Sequence, residues 1–237
     1  MKVAHARDQV VKGPQGEILR VLDRLNQHFS AHGFNAPSPA DHSMVRFLAL
    51  DSVARSALIQ NFERYLEILV AEGESAAGDS ARLESNRLRR AVRQLGLRFL
   101  DQRILQQIDD GDVVEIYDST GRQIYRNLQF CRLSSYSLLD VAVNTWQELY
   151  ERPMSSVETI LLRVADVFST PALNVPFAME PHLVKERFVY SKKQKVFRAT
   201  MKNLSPLAGP DDDRRVAAIS VSRFEVVSND GPQIDFI

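Results

Sequence analysis

At Val113 the chain changes period, and that change limits what it can fold into. Upstream, apolar residues recur every three or four positions, the repeat of one helix face. From Val113 on, β-branched and aromatic residues crowd together as Val113-Val114-Glu115-Ile116-Tyr117. Asp118-Ser119-Thr120-Gly121 is then a turn, because the aspartate carboxylate can accept from the backbone ahead and the glycine tolerates positive φ. Gln123-Ile124-Tyr125-Arg126 is the return strand, so 113–126 is predicted as a hairpin.

The segment before the hairpin reads as helices. Ile18, Leu22, Leu25 and Phe29 form one stripe between Gln15 and His32, stopped by Gly33 and the prolines 37 and 39. A second stripe runs through Phe47, Ala54, Leu58, Phe62, Tyr65 and Leu69, with a break available near Asp51-Ser52. A third helix is expected over 81–108. Its stripe shifts phase around Gly96, from Leu88, Val92, Leu95 and Phe99 to Leu97, Leu100, Ile104 and Ile108. After the hairpin, 128–152 is rich in short helical turns, and Pro153 stops it. A helix over 156–168 follows, with Ser155 or Ser156 and Glu158 as its N-terminal signal. Leu183–Ser191, Lys195–Leu204 and Val216–Val227 are predicted strands.

Thirty Lys+Arg balance thirty Asp+Glu in 237 residues, so no overall field draws the chain to nucleic acid or to a membrane surface. The single cysteine, Cys131, rules out an internal disulfide and fits a reducing compartment. No apolar run approaches transmembrane length, and the N-terminus lacks a signal-peptide core. A cytoplasmic protein is expected.

The order strand, strand, short helices, longer helix, three strands resembles a PAS domain, and the local residues agree. Val114-Glu115-Ile116-Tyr117-Asp118, Gly121 and Ile124-Tyr125-Arg126-Asn127 match the opening strand, turn and strand of that family. Phe130, Leu133, Tyr136-Ser137 and Leu139-Asp140-Val141 match the segment after it, with Ser135 where the family usually has glycine. The resemblance covers about residues 109–229. It implies an α+β fold: an N-terminal helical region (1–80), a connecting helix (81–108), a PAS-like domain with a five-stranded antiparallel sheet (109–229), and an apolar tail (230–237).

The resemblance also implies a cavity between sheet and helix 156–168, with Tyr117, Tyr125, Phe130, Tyr136, Trp146, Ile160, Val164, Phe188 and Phe197 as candidate lining residues. Cys131 stands only four residues beyond Asn127, too early for the flavin-reactive cysteine of light-sensing relatives, and reads as a core residue. His182 reads as a surface or capping residue. The other histidines lack ligand spacing, and neither Asp109–Asp112 nor Asp211–Asp213 is followed by a calcium loop with a closing glutamate, so no metal is expected. No cofactor is expected, although a small ligand fits the resemblance.

No nucleophile elbow or phosphate loop is present. The expected function is therefore non-enzymatic signalling or regulation, its output passing to a second copy of the chain or to a separate effector. Two alternatives come from other classes. Arg82, Arg89, Arg90 and Arg93 on the third helix could track phosphates in a nucleic-acid-associated regulator, although no aromatic residues interleave them. A small-molecule enzyme of cone-shaped α+β fold shares the same pattern of helices and strands.

Overall fold

A computed structural model describes residues 13–31, 33, 37–73, 80–169, 177–187, 195–211 and 214–228. Four helices come first: α1 (Pro14–Ala31), α2 (Asp41–Ala49), α3 (Ser52–Gly73) and α4 (Ser80–Gln94). The break between α2 and α3 falls where Asp51 leaves the helix and its carboxylate accepts from Ala54 N at 2.8 Å, capping the next one.

The single helix expected over 81–108 is not formed. α4 ends at Gln94, and Gly96 takes φ +68°, so that Leu97 N reaches Val92 O at 2.8 Å and Gly96 N reaches Arg93 O at 3.0 Å. That bonding closes the helix and reverses the chain. The rest of the segment becomes β1 (Arg98–Phe99) and a 3-10 turn (Gln102–Gln106) capped by the Asp101 carboxylate. The phase shift at Gly96 was the trace of this stop.

The remaining elements are the hairpin β2 (Val113–Asp118) and β3 (Gln123–Arg126), the short helices α5 (Leu128–Leu133), α6 (Leu138–Val143) and α7 (Trp146–Leu149), and β4 (Tyr150–Glu151). They continue as α8 (Met154–Ser169), β5 (His182–Glu186), β6 (Val196–Ala208) and β7 (Arg215–Ser228). The turn works as its residues dictate: Asp118 Oδ1 accepts from Thr120 N at 2.8 Å and Arg122 N at 3.1 Å, and Gly121 sits at φ +78°. Asn127 caps α5 through Phe130 N, and its amide donates to Asp112 O at 2.8 Å. Ser137 with Asp140 and Thr145 with Glu148 form capping boxes on α6 and α7. For α8 the expected serine cap is replaced by Pro153, whose carbonyl accepts from Ser156 N and Val157 N.

The strands form one antiparallel sheet in the order β3-β2-β7-β6-β5-β4, with β1 pairing separately to β6. The described sheet thus has seven strands rather than the five expected. Two of them, β1 and β4, are two-residue additions, made where a turn of chain runs beside the end of β6 and the edge of β5.

Alternation along the strands gives the sheet two different faces. Val114 and Ile116 on β2, Tyr125 on β3, Leu207 on β6, and Ala217, Ile219 and Val221 on β7 belong to one apolar core with Ile18, Phe29, Phe62, Leu69 and Leu88 of the N-terminal helices. Tyr65 of α3 meets Tyr125 edge-to-face, with ring centroids 5.9 Å apart. α2 docks beside this seam: Ala40 N donates to the fully buried Asp140 at 3.2 Å, and Arg46 reaches Asn144 at 2.6 Å and Glu148 at 2.8 Å. This face of the sheet is therefore covered by the chain's own helices. The opposite face, carrying Val113, Glu115 and Tyr117, turns toward α8 and the short helices.

Candidate functional site

Between the second sheet face and α8 lies a cavity with about 90 Å³ open to the centres of water-sized molecules. Strand register builds its floor in rows: Glu115 pairs with Ser220 and Ser220 with Leu204, Tyr117 pairs with Ala218, and Ser222 pairs with Met201. α8 supplies the roof through Ile160, Val164 and Phe168. The segment around β4 supplies Trp146 and Arg152, and the start of β5 supplies His182, which pairs across the sheet with Ala199. The walls are mostly apolar with a few convergent polar groups, the usual composition of a small-molecule site.

Glu115 is the buried acid of this face. Its Oε1 accepts from Tyr117 Oη at 2.7 Å and from the Gln123 amide. Burial holds its carboxyl above the ordinary glutamate range, against the lowering effect of the Tyr117 hydrogen bond and of Arg152 and Arg126. Burial, and after it the Glu115 charge, pushes the Tyr117 phenol well up.

Arg152 lies over the Trp146 ring at 4.9 Å and the Tyr150 ring at 5.4 Å. Although the residue as a whole is part-exposed, its Nε and Nη1 are shut off from solvent and have no hydrogen-bond partner among the described residues. Burial pulls its guanidinium below the ordinary arginine range, and Tyr117, Glu115 and Tyr150 oppose that pull. His182 donates from Nδ1 to Glu180 O at 3.3 Å, and its Nε2 is also shut off without a partner. Burial lowers its pKa; the Glu180 carbonyl raises it, and the nearby Arg152 charge lowers it further.

A smaller cavity, about 30 Å³ by the same measure, continues under α5 past Phe130, Leu133 and Phe197. Glu115, Tyr117 and Arg152 line both cavities.

The expected lining residues divide accordingly. Tyr117, Trp146, Ile160 and Val164 line the cavity under α8, and Phe130 and Phe197 the smaller one beside it. Tyr125 does not line either; alternation puts it on the other sheet face against Tyr65. Tyr136 is a core residue whose hydroxyl donates to Leu149 O at 2.6 Å. Phe188 lies outside the described residues. His182, expected at the surface or as a cap, lines the cavity because β5 begins one residue earlier than its apolar run suggests.

Glu115, Arg152, Ser220 and Ser222 were not foreseen. Glu115 had a readable signal, an acid at an inward position of an otherwise apolar strand; Arg152, beside Pro153 outside any periodic run, had none.

Of the arginine row, Arg89 and Arg93 are exposed, and Arg90 donates to Ala71 O at 2.6 Å. Arg82 lies outside the residues whose side chains are described. Cys131 sits near the seam, its thiol pushed up to about 11 by burial and 3.7 Å from Tyr65 Oη. Among the described residues no cluster of three or more His, Cys, Asp or Glu could hold a metal ion, and no helix is long and apolar enough to cross a membrane. No protein-family model matches the chain, and no curated protein matches it in sequence.

The raised carboxyl of Glu115 makes a testable statement about pH. A group whose folded pKa lies above its unfolded value contributes stability that is complete below the unfolded pKa and is lost as pH rises through the folded one. Glu115→Gln keeps an acceptor oxygen for Tyr117 and Gln123 without the charge. The variant is expected to be more stable than the parent near about pH 8, on the order of 1 kcal/mol, with the advantage gone near about pH 4. Urea unfolding at several pH values measures it, and a constant difference across that range would refute the assignment.

Proposed function

We propose that the chain is a non-enzymatic signalling or regulatory protein. In this reading a PAS-like α+β unit takes a small ligand between its sheet and α8, and the N-terminal helices carry the effect onward. The element order supports the PAS-like part: a hairpin, short helices, a longer helix and three antiparallel strands, with the first principal strand, β2, lying beside the last, β7. The observation that carries the function is the cavity's position. It is walled by one face of a single-layer sheet whose other face is packed on α1, α3 and α4. A shift of β2 or β7 on the ligand side cannot leave the helix side unchanged, because close-packed interiors transmit displacement.

Filling the cavity from α8 tests the coupling. Val164→Phe is expected to alter amide hydrogen exchange along α3 (Ser52–Gly73) severalfold as well as in β2 and β7. Changed exchange in the strands with none in α3 would remove the transmission role.

A further inference from the structure

Resting on the reading of the cavity as a ligand site, we propose that its ligand is a small amphipathic monocarboxylate, held by Arg152 through its acid group and by the α8 side through its apolar body. Arg152 carries the argument. Two of its donors, Nε and Nη1, are closed to solvent and without a partner among the described residues. A buried donor left unmade is costly, and native chains seldom leave charged donors so. The guanidinium is already oriented by its stacking on Trp146 and Tyr150, so little freedom is lost when it binds. A carboxylate oxygen is the strong, charge-assisted acceptor for a guanidinium donor.

Charge and size narrow the ligand. The acid facing Arg152 is Glu115, whose Oε1 is already engaged by Tyr117 and Gln123. Arg152 is the one lysine or arginine among the described lining residues, so a second carboxylate on the ligand would be buried without a cation. The open volume corresponds to roughly six to nine water-sized positions, about the size of benzoate or hexanoate. Ile160, Val164, Phe168, Met201 and Leu204 give the body of such a molecule an apolar lining. The His182 Nε2 lone pair adds a second unfilled position in the wall, an acceptor for a ligand hydroxyl.

Benzoate and its neutral isostere benzamide test this by calorimetric titration of the full chain, with Trp146, the single tryptophan, as a fluorescence reporter in the cavity wall. Benzoate is expected to bind about ten- to a hundredfold more tightly than benzamide. Arg152→Gln is expected to bring that ratio close to one without abolishing benzamide binding. Equal binding of the two compounds to the parent protein overturns the carboxylate assignment while leaving the cavity a ligand site. Failure of both to bind at millimolar concentration overturns the ligand site as well. Should Arg152→Gln fail to fold, the benzoate to benzamide ratio in the parent protein still decides.

Discussion

A chain shortened to residues 109–237 is expected not to fold. The cut would remove α1 to α4 and bare one whole face of the sheet, including Val114, Ile116, Leu207, Ala217, Ile219 and Val221, all under 2% exposed in the intact protein. Returning those side chains to water costs about 1.5–3 kcal/mol for each larger one. The sum is on the order of 10 kcal/mol, comparable with the entire stability of an ordinary domain. Asp140 would lose Ala40 N, and the Arg46 contacts to Asn144 and Glu148 would go with α2. Circular dichroism and size-exclusion chromatography of the fragment check this; a monomeric fragment with a cooperative melt would show that the sheet is stable without its helices.

Tyr125→Ala is expected to cost about 3–5 kcal/mol, the range for emptying a large aromatic from a closed core. Tyr125 is 1% exposed, packs edge-to-face on Tyr65, and stands where β3 meets α3. The more informative result is how the variant unfolds. Because the helices and the sheet share one core, Trp146 fluorescence on the cavity side and far-UV circular dichroism of the helices are expected to fall together, at a lower denaturant midpoint, in one transition. Two separated transitions would mean that helices and sheet are independently stable, and the coupling proposed between cavity and helices would lose its mechanical basis.

Much of the local structure was legible in the residues. The 113–126 hairpin, its Asp118–Gly121 turn, α1 and the break at Asp51 all follow from short-range chemistry: a carboxylate that caps, a glycine that takes positive φ, a stripe that repeats. The candidate site was half legible. Tyr117, Trp146, Ile160 and Val164 line it as expected. Tyr125 does not, because the strand pairs it opposite Ile116, a residue of the other face, and nothing within β3 reveals which face the cavity will take.

What the sequence by itself determined was most of the longer elements and their order, since each arises from neighbours within a few positions of one another. The tertiary structure decided how those elements share their faces. It ended the expected 81–108 helix at Gly96. It laid the N-terminal helices over one face of the sheet, and it brought Glu115 from the middle of β2, Arg152 from just past the end of β4 and His182 from the start of β5 to one cavity. The physical reason is that burial depends on long-range packing. Arg152 shows no pattern along the chain, and its character comes from Trp146 and Tyr150 beneath it and from the solvent that they exclude.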